Sequence, residues 1–308
     1  MTRFGIVGGG LMGHGIAVAL AKAGHDVAVH DVDPRTMATF HHRVGPALAQ
    51  CGVPSSRSGP IGARITTAST LDGVAREVDV IVEAVPERLE VKHQVLAALE
   101  AAAAPATPIW TNTSVLSITR VAEAMAHPGR LAGVHWWNPP YLVPLVEVAP
   151  GARTDPRVLD DACDLLTAMG KTTVRLRRDV PGFVGNRLQF ALVREALHLL
   201  DQGVCDPETI DTVMRSSLGL RWAAVGPMEN ADHIGLELTR DILRNLAPHL
   251  STEREAFPSL DKPLNEARNG RSSGEGLLPW PPGKETEVAR RLGAGIRRNL
   301  ARPTAVPG

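Results

Sequence analysis

This chain has no surplus of charge of either sign: its 308 residues carry 33 Lys plus Arg against 33 Asp plus Glu, a formal net charge of zero. A nucleic-acid groove or a patch for anionic membranes needs a local positive excess, so neither partner is expected. The one basic stretch, with Arg290, Arg291, Arg297 and Arg298, has no interleaved aromatics and reads as a solvated helix face, before an end (ARPTAVPG) expected to fray. Cysteine is scarce as well. Cys51, Cys163 and Cys205 are odd in number, widely spaced and without a C-x-x-C pair, which argues against a disulfide framework and against a structural metal site. No apolar run approaches the length of a bilayer span, and the opening MTRFGIVGGG reads as a strand entering glycines, not as a signal peptide. Together these absences lead to the expectation of a soluble cytoplasmic protein that holds no metal.

What is present is enough apolar material, 44% of the residues, for more than one core, so two domains are expected. Short apolar runs at Phe4 to Val7, Val27 to His30, Val78 to Glu83, Ile109 to Asn112, Leu131 to His135 and Leu145 to Val148 read as strands, with Thr173 to Leu176 a further candidate. Helical spacing at 12–23 and 87–101 lies between them, and alternation of this kind implies crossover units and a mostly parallel sheet. After Asp179-Val180-Pro181-Gly182 the texture turns wholly helical, at 186–202, 207–218, 235–247 and 285–300, with Gly270 to Gly283 as a loop. The expected division is residues 1–180 and 181–308: α/β, an N-terminal doubly wound sheet of Rossmann type, then an all-helical domain.

Gly8-Gly9-Gly10-Leu11-Met12-Gly13 is a G-x-G-x-x-G in the required context, after one strand and opening a helix. Gly8 permits the tight turn, Gly10 leaves room for a pyrophosphate, Gly13 lets helix and strand approach, and the amides at Leu11 and Met12 begin the helix that holds phosphate. Asp31 follows Gly13 by 18 residues, near the spacing of an acid that grips the adenosine ribose. It could instead cap a helix from Pro34, a duty that Asp33 fits better. A carboxylate there would repel a ribose phosphate, so NAD is the expected cofactor in preference to NADP.

Hydride chemistry also needs a group to take the alcohol proton, and histidine is best matched near neutral pH. His135 ends a strand of the first domain, where open sheets place their ligands. It could also be a packed structural histidine beside Trp136 and Trp137. Glu147 favours the first reading, because a carboxylate in Leu145-Val146-Glu147-Val148 is expensive without a partner that wants its charge. If the two strands are adjacent, Glu147 would fix the tautomer of His135 and leave its other nitrogen free as a base.

These segments, in the order GIVGGGLMGHGIA, HDVD, VIVEAVPERLEVK, TNTSVLSI, GVHWWNPPYLVPLVEV, DVPGFVGNRLQ and VGPMENADHIGL, resemble the 3-hydroxyacyl-CoA dehydrogenase family over nearly the whole length. The likeness is greatest to its small hydroxy-acid branch, with lambda-crystallin, gulonate 3-dehydrogenase and carnitine dehydrogenase. The resemblance implies that His135 is the catalytic histidine and Glu147 its orienting acid. It implies that Ser114 bonds the substrate oxygen near the nicotinamide, and that Asn186 acts at the domain junction. Glu87 and Lys92 fall on cofactor contacts, and a homodimer through the helical domain is implied. Ser114 could equally cap a helix over Leu116 to Met125, and Asn186 the helix that follows it.

Two stretches depart from that family. Thioester-handling members carry a charged helical hairpin after the second strand, whereas Cys51 to Gly62 here is rich in Gly, Pro and Ser and reads as a loop. RSSGEGLLPW, residues 271 to 280, replaces a Lys-x-G-x-G-F-Y-like run. The expectation is therefore an NAD-dependent dehydrogenase of a small free 3-hydroxy acid, with Arg187 or Arg221 to grip its carboxylate. A 3-hydroxyacyl thioester is the alternative substrate, and a non-catalytic NAD-binding structural protein the alternative role.

Overall fold

The structure is a computed structural model and describes residues 1–300, so the end expected to fray lies outside the described residues. The first part of the chain runs β1 (Arg3–Val7), α1 (Leu11–Lys22), β2 (Asp26–His30), α2 (Pro34–Ala38), α3 (Phe40–Gln50), α4 (Ser55–Gly62) and β3 (Ile65–Thr67). It continues α5 (Asp72–Ala75), β4 (Val80–Glu83), α6 (Leu89–Ala102), β5 (Ile109–Thr111), α7 (Ile118–Val121), β6 (Leu131–Trp136), β7 (Leu145–Pro150), α8 (Pro156–Ala168) and β8 (Thr172–Arg175). The strands form one sheet in the order β3-β2-β1-β4-β5-β6-β7-β8, parallel throughout except for the antiparallel pair β6–β7. The winding reverses between β1 and β4, and the glycine run leaves β1 at that point, where sheets of this class bind ligands.

Alternation along each strand builds two cores. Phe4, Ile6, Trp110, Val134 and Val146 face one side with α1, α3 and α8; Val7, Ile81, Ile109, Leu131 and Ala149 face the other with α6 and α7. Helix α1 is buried from Gly13 to Ala21, a run of small and aliphatic residues interrupted only by His14.

Several expectations are corrected in detail. β3 carries only Ile-Thr-Thr with both threonines exposed, too short and too polar to register as a strand. Cys51 to Gly62 is not a loop through its length, because Ser55–Gly62 is helical. Pro54 starts that helix from extended backbone, and Val53 and Ile61 pack on the first core, so tertiary burial overrides the poor propensity of Gly59 and Pro60. The helix expected over Leu116 to Met125 shrinks to α7 and one 3-10 turn, Ala122–Ala124, and its cap is Ser117 rather than Ser114.

The second part holds α9 (Gly185–Asp201), α10 (Pro207–Val213), α11 (Gly219–Trp222), α12 (Pro227–Ile234), α13 (Leu236–Leu246), α14 (Pro258–Asn265) and α15 (Lys284–Leu300). A π turn, Met214–Leu218, links α10 to α11. Among the described residues after Asn186 there are two isolated bridges, within 270–279, and no ladder strand. The chain separates into two compact units, Met1–Asn186 and a second from Arg187. The division follows the hydrogen bonds, since 179–186 is tied to the first unit by the contacts given below.

Candidate active site

At the nucleotide end, Gly8 has φ +100°, and a side chain there would collide with the Ala84 carbonyl. A Cβ on Gly13 would collide with the Gly8 carbonyl, whereas one on Gly10 would meet nothing within 4 Å. Gly10 precedes α1 without any side-chain cap, so the first amides of the helix, from Leu11 and Met12 onward, keep their donor capacity. An open side at Gly10 over an uncapped helix start is the shape a diphosphate fits. Asp31 also has a structural task within the loop. Its Oδ2 accepts from Gly9 N at 2.7 Å and its Oδ1 from Asp33 N at 2.8 Å, so it braces the loop while each oxygen keeps capacity for a ribose hydroxyl. Asp33, not Asp31, caps α2, accepting from Arg35 N at 3.0 Å. His30, Asp31, Val32, Met37, Thr67 and Ser69 line a cleft of about 710 Å³ beside it.

Glu87 and Lys92 belong to one network, buried at Lys92 and open to solvent at Glu87. Lys92, 1% exposed, donates to Glu83 Oε1 at 2.8 Å and lies 3.4 Å from Glu87. Glu83 also accepts from Thr111 Oγ1 at 2.6 Å and Val85 N at 2.9 Å. Glu87 Oε1 gathers the loop after β5, accepting from Thr113 Oγ1, Ser114 N and Val115 N. Burial pushes the Glu87 carboxyl up; the Thr113 hydroxyl, the Val115 and Ser114 amides and the Lys92 charge outweigh that and hold it below its usual range. Sequence reasoning missed Glu83, Thr111 and Thr113, although Glu83 ends a run of valines just as Glu147 sits within one.

His135 and Glu147 are directly opposed in the β6–β7 ladder. His135 Nδ1 lies 3.0 Å from Glu147 Oε2, and the two residues are 4% and 2% exposed. Facing a carboxylate, Nδ1 carries the ring hydrogen, which leaves Nε2 as the acceptor. The ring stacks on Phe183, centroids 5.3 Å apart, and tilts against Trp137 at 5.2 Å. Glu147 Oε1 takes hydrogen bonds from Val184 N and Gly185 N, both at 3.0 Å. Burial raises the Glu147 carboxyl, but the His135 bond and these two amides prevail and keep it ionised below the ordinary value. Gly185 has no room for a side chain, since Trp137 occupies that space.

The segment before α9 is pinned at both ends. Asp179 accepts from Ser117 Oγ at 2.6 Å and from the amides of Ile118 and Thr119. Asn186, 8% exposed, donates from Nδ2 to the Ser114 carbonyl at 3.0 Å. The first unit therefore joins Ser114, Glu87 and Asn186 through one chain of contacts and His135, Glu147 and Phe183–Gly185 through another. Arg187 and Arg221 belong to the second unit. Among the described residues no cluster of His, Cys, Asp and Glu could hold a metal ion, and no helix is long and apolar enough to cross a membrane.

Comparison with known proteins identifies the family. Residues 3–180 match the 3-hydroxyacyl-CoA dehydrogenase NAD binding domain, and residues 182–280 match the C-terminal domain of the same family. The chain is 33% identical to 5-formyl-3-hydroxy-2-methylpyridine 4-carboxylate 5-dehydrogenase of Mesorhizobium japonicum, over 97% of this chain and 98% of that protein. It is 36% identical to L-carnitine dehydrogenase of Streptomyces griseus, over 88% and 84%. A crystal structure of the pyridine-carboxylate 5-dehydrogenase, described as an NAD+ dependent dismutase, superposes with a TM-score of 0.91 at 31% identity, covering 98% of this chain and 99% of the other. This protein is a member of the 3-hydroxyacyl-CoA dehydrogenase family, close to its carnitine dehydrogenase branch, and an NAD-dependent oxidoreductase.

Proposed function

We propose that the protein oxidises the hydroxyl-bearing carbon of a small free 3-hydroxy acid to a ketone, with His135 as the base that takes the hydroxyl proton. One observation carries this reading: a sealed His135–Glu147 pair in which Nδ1 is committed at 3.0 Å and no described group hydrogen-bonds Nε2. Gly8, Gly10, Leu11, Met12 and Gly13, with Asp31 at the ribose, would hold NAD, which would supply the hydride acceptor. Glu147 keeps the imidazole in the tautomer that exposes Nε2 and favours the imidazolium that forms when the proton arrives. The Ser114 hydroxyl and the second hydrogen of the Asn186 amide donate to the substrate oxygen. Glu87 and Lys92 set the loop that carries Ser114, acting on the cofactor side through that loop.

The free acid is favoured over a thioester by the basic residue that reaches the glycine run: Arg43 is turned onto the Gly9 carbonyl at 3.0 Å and is not held out for a nucleotide tail. L-Carnitine, the named substrate of one relative, is itself a free 3-hydroxy acid. A second reading follows from the TM-score of 0.91 with the pyridine-carboxylate enzyme. A hydrated aldehyde presents the same H–C–O–H unit to His135 as a secondary alcohol, so a formyl-bearing aromatic acid fits the same chemistry. The protein works as a homodimer through the helical unit, in the cytoplasm.

The test follows NADH production with matched 3-hydroxy acids, their coenzyme A thioesters and formyl aromatic acids. A short free acid should win by at least tenfold in catalytic efficiency, about 1.4 kcal/mol of differential transition-state binding. His135→Ala should lower turnover by roughly 100-fold or more while NADH still binds. Near-wild-type turnover in that variant would refute the assignment of the base.

A further inference from the structure

The G-x-G-x-x-G pattern gives no role to its second residue, yet Gly9 is held on every side. Its N–H donates to Asp31 Oδ2 at 2.7 Å, and its carbonyl accepts from Arg43 Nη2 at 3.0 Å. A Cβ on Gly9 would lie 3.3 to 3.4 Å from Met37 Sδ, Asp31 Cβ and the Phe40 ring. Arg43 reaches this point from α3. Its guanidinium lies 5.4 Å over the Phe40 ring, and the same Nη2 lies 3.5 Å from the Thr36 carbonyl in α2. Its Nε is buried with no acceptor among the described residues. An arginine that leaves one buried donor unmatched is held there by its other contacts, and the shortest of these is the Gly9 carbonyl.

Two physical consequences follow. The Gly9–Gly10 peptide is trans, so its carbonyl and the Gly10 N–H point in opposite directions. Fixing the carbonyl on Arg43 therefore aims the Gly10 N–H the other way, at the one glycine of the run whose Cβ direction is open. The second consequence is charge. Gly8 to Gly13 contains no cationic side chain, so the loop meets an anion with backbone dipoles alone. Arg43 sets a positive charge behind them, hydrogen-bonded to the loop itself, and it interacts there with the Asp31 carboxylate that holds the Gly9 amide.

We infer that Arg43 is a positioning residue for the dinucleotide diphosphate: it fixes the Gly9–Gly10 peptide and backs the phosphate amides with charge. This rests on the reading that Gly8–Gly13 receives the diphosphate. A residue that merely stapled α3 to the loop would change stability without discriminating between ligands with and without phosphate.

The experiment compares wild type with Arg43→Met and Arg43→Lys. NADH is titrated by calorimetry, and ADP and adenosine are then measured by displacement of NADH. Arg43→Met should weaken NADH and ADP by about tenfold, the scale of one charge-assisted hydrogen bond, and adenosine by less than twofold. Arg43→Lys should recover at least a threefold part of that loss, since it keeps the charge with a less suitable donor. Equal weakening of ADP and adenosine, or unchanged NADH affinity in a folded Arg43→Met protein, would overturn the inference. Should Arg43→Met not fold, Arg43→Gln takes its place, with ADP weakened relative to adenosine as the expected result and an unchanged ratio as the refuting one. If wild type binds adenosine as tightly as ADP, the reading of the loop fails instead.

Discussion

Glu83 and Glu147 each stand among valines on a central strand, at 0% and 2% exposure, and their partners give them different work. Glu147 faces an imidazole that can gain and lose a proton. Glu83 faces the Lys92 ammonium at 2.8 Å, backed by Thr111 Oγ1 and Val85 N, a fixed charge with its acceptors filled. A buried carboxylate in a strand therefore announces a partner without saying what the partner does. Removing one member of such a pair leaves the other uncompensated in a medium of low dielectric. Lys92→Met should destabilise the protein by about 3–5 kcal/mol in urea unfolding. Adding Glu83→Gln should cost less than the sum of the two single changes. Strict additivity would mean that the two charges do not act as a pair.

On α1, the residue after Gly13 is His14, buried at 6% exposure, edge-on to Phe40 with ring centroids 4.9 Å apart and with no partner for Nε2. Burial, reinforced by the Arg43 charge, lowers its pKa from 6.5 to about 4. The sign follows from proton binding. Between pH 6.5 and 4 the unfolded chain takes up a proton that the folded α1 refuses, so stability falls as pH falls through that window. Wild type should lose about 2 kcal/mol more than His14→Leu between pH 7 and pH 5, at about 1.4 kcal/mol per pH unit below 6.5. Urea titrations of both proteins at the two pH values measure the difference, and parallel losses would remove His14 as the cause. Elements differed in how legible they were. β6 and β7 were readable because they are fully apolar but for the two residues that pair, so burial and chemistry pointed the same way. α4 and β3 were hidden because their own residues favour neither helix nor strand, and packing on α3 and β2 decides. Asp31 was found by its spacing, but its grip on the amides of Gly9 and Asp33 depends on loop geometry that no spacing encodes. Glu87 was recognised by resemblance, while its role as the collector of the Ser114 loop belongs to tertiary structure.

For the whole molecule, the telling contrast is between the apolar surfaces of the two units. In the first, most large aliphatic and aromatic side chains fill two cores, and the exceptions, such as Leu11 and Val32, are scattered. In the second, Leu188, Phe190, Val213, Leu220, Met228, Leu236, Leu238 and Leu243 are all more than half exposed. Apolar surface on that scale marks an interface, which is the physical ground for proposing that two chains pair through this unit. Sedimentation at micromolar concentration should give a mass near twice 32.8 kDa, and Phe190→Lys with Leu188→Lys should shift it toward one chain. A single-chain mass for wild type would refute the pairing. The hydrogen bonds of Glu147 bear on any attempt to divide the chain. A piece severed after Val180 would retain every glycine of the nucleotide loop, yet it would strip Glu147 Oε1 of both its donors and uncover the imidazole face now under Phe183. Six more residues, through Asn186, restore all of these contacts. In this protein the last turn of chain before the helical unit is the cover of the His135–Glu147 pair, and a scissor placed at the change of texture would free the glycine loop with that imidazole unguarded.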